Sequence, residues 1–256
     1  MPVTTIDEVI AQLDDIIASA IASQSRLGLF AALYRQVTLE VKQGIAAGAF
    51  EDGPRMATLD VAFASRYLDA LATWRAGGTT SQCWQLAFDD CQRTDLILIQ
   101  HLLLGMNAHI NLDLGVAAAT VCPGAALAGL HADFDRINDI LAALVDRVKQ
   151  VLAEFSPLMH LLGAGGALGD RLEDAIVNFS MTAARDDAWR HAQLLAPFPA
   201  AVQAGVICVL DDKAVFLGRL VADPGRLVSL MLDAIHLQES TDIPAVIRAL
   251  DAIVAT

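Results

Sequence analysis

The chain has 256 residues, 55% of them apolar, and a formal charge of −13, with an isoelectric point near 4.6 and a mean hydropathy of +0.49. That is ample material for a core, and the charge, with no run of lysine or arginine, excludes a grip on nucleic acid or on an anionic membrane surface. Alanine and leucine dominate while tyrosines number two and phenylalanines nine, a bias toward closely packed helices.

The expected fold is therefore all-α, one compact domain over residues 1–256 with nine or ten helices around a buried central one. Ile6, Val9, Ile10, Leu13, Ile16, Ile17 and Ile21 repeat at threes and fours, so they mark an amphipathic first helix with Thr5 as its N-cap. Residues 25–47 read as the second helix, and a third runs from about Met56 to Trp74, where Gly77-Gly78 stops it. A short helix over 80–92 precedes the long central one, Asp95 to Thr120, which Pro123-Gly124 ends. Helices over 132–155 and 170–195 flank Pro157 and the glycine cluster 163–169, so 156–169 is expected to be a mobile loop. A further helix runs to about Val221, and the last two open near Pro224 and Pro244.

Every long apolar run carries polar groups, residues 200–222 through Asp211-Asp212-Lys213, so no membrane span is expected. The N-terminus lacks a signal-peptide pattern, which points to the cytoplasm. Cys83, Cys91, Cys122 and Cys208 form no CxxC pair, and reduced, buried thiols are the expectation.

The central helix combines the greasiest sequence with His101, Asn107, His109, Asn111 and Asp113. Burying such groups costs several kcal/mol each unless they find partners. His109 and Asp113 are four apart and share a helix face, which suits metal ligation, proton transfer or a structural pair. On the third helix Asp60, Tyr67 and Trp74 share a stripe, so Asp60 is either a further ligand or base, or the partner of Arg66 or another arginine. On the helix at 170–195, Asp174, Asn178, Thr182, Arg185 and Trp189 fall in one arc that either lines a pocket or faces water. Asp133 and Asn138 are expected to cap or cross-link helices. No His-Glu-x-x-His, Glu-x-x-His, Gly-x-Ser-x-Gly or phosphate-loop pattern is present.

Leu104-Gly-Met-Asn-Ala-His-Ile-Asn-Leu-Asp-Leu114, with the upstream Met56-x-x-Leu-Asp60-x-x-Phe63-x-x-Arg66-Tyr67 and the downstream Asp133-Phe-x-x-x-Asn138, resembles a bacterial and fungal family of all-helical proteins of unknown function. The resemblance spans roughly residues 30–195 and supplies positions rather than a reaction. A fainter similarity is to the helical zinc phospholipase C and single-strand nuclease group, whose His-x3-Asp and upstream Asp are matched here without that group's histidine-rich metal set.

Three functions follow as expectations. The first is a metal-dependent hydrolase of a small or partly apolar substrate, with Asp60, His109 and Asp113 holding zinc, iron or manganese. In it Tyr67 joins His109 and Asp113 in catalysis, while Asn107, Asn178, Arg185 and Trp189 bind substrate. The second is a metal-free isomerase or cyclase driven by the His109–Asp113 dyad. The third is a protein that binds a hydrophobic metabolite without chemistry. A nucleotide cofactor is not expected, the partner is a small-molecule substrate, and homo-oligomerisation stays open.

Overall fold

Thr5 opens the first helix as its sequence position requires. Its hydroxyl accepts from the Glu8 amide at 3.2 Å while Glu8 accepts in return from the Thr5 amide at 3.1 Å, a capping box that starts α1, Ile6–Ser23. The computed structural model describes residues 2–159 and 181–253. The elements that follow are α2, Leu27–Ala46, α3, Gly53–Arg75, α4, Gln82–Asp90, and α5, Leu98–Val121. Then come α6, His131–Phe155, α7, Met181–Leu195, α8, Ala200–Ala222, α9, Arg226–His236, and α10, Ile243–Asp251. A 3-10 turn, Gly124–Leu130, links α5 to α6. The described residues contain no strand.

Helix α5 is the axis of the fold, with α2, α3, α4, α7 and α8 packed around it. It is long and apolar enough to cross a membrane, but 94% of its most apolar window is buried inside the protein, as a core helix requires. Two glycines set its close approaches. A Cβ at Gly105 would lie 2.6 Å from the Phe30 ring, and one at Gly115 would lie 2.7 Å from the Ala188 carbonyl of α7.

Three helix starts are satisfied by carboxylates far away in sequence. Asp133 accepts from the Glu51 and Asp52 amides ahead of α3 and pairs with Arg55 at 2.8 Å, which is the cross-linking role expected of it. Asp211 accepts from the Gln82 and Cys83 amides that begin α4, and Glu239 from the Leu98 amide that begins α5. Unpaired N–H groups and the positive helix end both favour a carboxylate there. Cys83 and Cys122 are buried as expected, whereas Cys91 is half-buried and Cys208 lies exposed on α8. The stretch 160–180, and with it most of the loop expected at 156–169 and the start of the helix expected at 170, lies outside the described residues.

Candidate functional site

The polar motif of α5 does not lie on a regular α-helix. From His109 to Leu114 the backbone forms a π-turn, all six residues of it buried, and such turns concentrate at functional sites because each re-aims the side chains around it. Asp113, 1% exposed, accepts from Arg66 Nε and from Trp84 Nε1, each at 2.7 Å, through different oxygens. His109 Nδ1 stands 3.6 Å from Asp113 Oδ2, too long for a hydrogen bond. Among the described residues neither His109 nitrogen has a hydrogen-bond partner. Its ring lies flat on Phe63, centroids 3.5 Å apart, with the Tyr34 ring edge-on at 4.4 Å. Burial pushes the His109 pKa down although Asp113 pulls it up, which favours the neutral imidazole in its casing of aromatic carbon.

Of the arginines expected beside Asp60, Arg66 is engaged elsewhere, because it binds Asp113. Asp60 is buried, leaves Oδ2 without a partner among the described residues, and has its carboxyl pushed up by burial to about 7. It lines a cavity of about 40 Å³ together with Tyr34, Phe63, Leu114, Phe134 and Arg185. That space holds a water or two, or the reactive end of a ligand. The Tyr34 hydroxyl is likewise without a partner among the described residues, and burial together with the Asp60 charge pushes its pKa well up.

Arg185 brings positive charge to the same cavity. It is 4% exposed, donates from Nε to Asn138 at 2.6 Å and from Nη2 to the Phe134 carbonyl, and sits 4.4 Å over the Phe134 ring. Burial lowers its pKa to about 10. Among the described residues no carboxylate pairs with it within 4.0 Å.

The other expected site residues divide by position. Asn107 donates to the Ala214 carbonyl at 2.7 Å and accepts from Asn111 at 3.0 Å, so its amide joins α5 to α8 instead of facing a ligand. Tyr67 is 1% exposed and packs on Phe30 and Trp84 away from the cavity lining. Trp189 packs on His131 and Phe134, one layer behind the lining. Asn178 lies outside the described residues. His109 and Asp113 are brought together, but Asp60 does not join them as a ligand set, and among the described residues no three His, Cys, Asp or Glu side chains are grouped to hold a metal ion. A metal using Asp113 would first have to displace Arg66 and Trp84 from its oxygens.

A family model described as a family of unknown function, DUF5995, matches residues 6–224. The chain belongs to the DUF5995 family. No curated protein and no solved structure matches it. The matched region contains the π-turn, Asp60 and Arg185, so the cavity belongs to the part of the chain that the family shares.

Proposed function

We propose that the cavity at Asp60 receives the polar end of a small, partly apolar molecule and that Asp60 transfers a proton to or from it, without a metal in the step. The observation that carries this reading is a buried carboxyl with an oxygen that has no partner among the described residues, in the wall of a cavity that also presents a buried guanidinium. A fold retains a lone buried carboxyl only at a cost, and such costs concentrate at sites of chemistry. A pKa of about 7 suits a general acid or base near neutral pH. Arg185 would orient a carboxylate or carbonyl oxygen of the ligand, Tyr34 would donate a hydrogen bond to it, and Phe63 and Phe134 would exclude water. The proton-transfer role thus moves from the His109–Asp113 dyad to Asp60, because aromatic rings enclose His109.

Two measurements test this. Thermal melting with hexanoate, benzoate and small keto acids as probes should show a raised midpoint for the wild type and a reduced shift for Arg185→Lys. Deuterium uptake from D2O next to the carbonyl of bound keto acids, followed by NMR, should occur with the wild type and cease in Asp60→Asn. Binding without exchange would leave a binding protein only, and exchange that survives Asp60→Asn would remove Asp60 from the chemistry.

A further inference from the structure

Asp60 and Arg185 stand in the wall of one small cavity and yet do not pair. No ion pair within 4.0 Å joins them. Burial alone raises the Asp60 carboxyl, and the charges that act on Arg185 are those of Asp135 and Asp186, so neither group answers the other's charge. They also come from different sides of the fold. Asp60 on α3 acts on the hydroxyl of Tyr34 on α2, whereas Arg185 on α7 is held to α6 by Asn138 and the Phe134 carbonyl. Apart from these three side chains the lining is apolar. The wall therefore has two polar poles, a guanidinium at one and a carboxyl with a phenol at the other.

Each pole lacks a partner among the described residues. Arg185 is buried without a carboxylate, and its bonds from Nε and Nη2 leave Nη1 for a ligand. A buried charge is costly without a counter-charge, and a planar guanidinium suits a carboxylate best. At the other pole Asp60 Oδ2 and the Tyr34 hydroxyl are both unpartnered there. Burial favours the protonated carboxyl, so this pole offers two O–H donors, and donors call for an acceptor oxygen rather than a cation.

We propose that the cavity takes a short carboxylic acid bearing a second oxygen, hydroxyl or keto, on its third or fourth carbon. The carboxylate lies on Arg185 and the second oxygen between Asp60 and Tyr34, which rests on the reading of the cavity as a ligand site given above. The position of the second oxygen follows from the separation of the poles. In a 2-hydroxy acid the hydroxyl is next to the carboxylate, so both fall to the guanidinium and Asp60 goes unserved. A volume of about 40 Å³ keeps the carbon chain between the poles short.

Thermal melting of the full chain against rising concentrations of butyrate, 1-butanol, 2-, 3- and 4-hydroxybutyrate and 4-aminobutyrate gives the affinities. The 3- or the 4-hydroxy acid should bind about three- to tenfold more tightly than butyrate, the effect of one added hydrogen bond. The 2-hydroxy acid and 4-aminobutyrate should bind no more tightly than butyrate. Tyr34→Phe removes only a hydroxyl that has no partner among the described residues, so its circular dichroism should match the wild type. It should bring the favoured hydroxy acid down toward butyrate and leave butyrate unchanged, while Arg185→Met should weaken every acid and spare 1-butanol. Butyrate that binds as well as the 3- and 4-hydroxy acids, or tightest binding by the 2-hydroxy acid or by 4-aminobutyrate, overturns the proposal and leaves the cavity as a site for a simple acid. A midpoint that moves with none of the probes overturns this proposal and the reading of the cavity together.

Discussion

A buried carboxyl leaves a signature in the pH dependence of stability. Burial raises Asp60 from 3.8 to about 7, so the folded chain holds this proton more tightly than the unfolded one. The stability it contributes is complete below about pH 3.8 and is lost as pH rises to about 7. Glu239, raised from 4.5 to about 7 by burial, acts in the same direction. His101 acts in the opposite one. Burial lowers it from 6.5 to about 3, so its contribution is present above pH 6.5 and is lost as pH falls toward 3. Asp60→Asn should therefore be more stable than the wild type by about 1–3 kcal/mol at pH 8, with little difference at pH 4. Urea unfolding at the two pH values checks this, and equal gains at both would mean that Asp60 ionises in the ordinary carboxylate range. Asp113 predicts the reverse. Its two oxygens satisfy an arginine and a buried indole, so Asp113→Asn should cost about 2–4 kcal/mol at pH 7, read from the urea midpoint. The closeness of His109 and Asp113 was legible from their spacing of four. The partners Arg66 and Trp84 were not, because a contact between helices leaves no local pattern. Tyr34 was missed for a similar reason, since in α2 it reads as one more core aromatic.

At the scale of elements, the π-turn decides which way the second half of α5 faces. Its extra residue turns Gly115 onto α7, where the Ala188 carbonyl and the His191 Cβ lie 2.7 and 2.8 Å from the position of an added Cβ. Gly115→Ala should force α5 and α7 apart and cost about 1–3 kcal/mol, seen as a lower melting temperature with unchanged helix content. A variant as stable as the wild type would mean that the two helices have freedom to separate. The helices themselves were legible to within a few residues at most ends, because their apolar spacing and their Thr, Gly and Pro boundaries are local signals. Pro54 and Pro244 fall in the first turns of α3 and α10, where a missing N–H costs nothing. The π-turn was not legible, since the residue types from His109 to Leu114 suit a helix of either period and a one-residue change in hydrogen-bond spacing leaves no mark in them. The long-range caps from Asp133, Asp211 and Glu239 were hidden in the same way, because an acidic residue on a helix surface reads as solvated until another helix end is brought to it.

For the whole molecule, the family match ends at residue 224, yet the core does not. Helix α10 packs against α1, α2 and α6, with Val246, Ile247 and Leu250 at 0% exposure. Ile247 fills the space above Gly28, where an added Cβ would lie 2.6 Å from its Cδ1. Asp251 ties the same helix to α2 through Arg35 and Gln36, and Glu239 satisfies the start of α5. Each fully buried aliphatic side chain stabilises by about 1.5–3 kcal/mol, and a domain holds only about 5–15 kcal/mol in total. Removing residues 225–256 therefore uncovers apolar surface on three helices and a buried helix start at the price of most of the available stability. The truncated chain should keep a helical circular dichroism spectrum, lose its cooperative thermal transition and bind an apolar dye such as anilinonaphthalene sulfonate, the signature of helices without fixed packing. A truncated chain that melts cooperatively near the wild-type temperature would show that the family region holds its own core, and that α9 and α10 are an attachment to it rather than part of the wall behind α2.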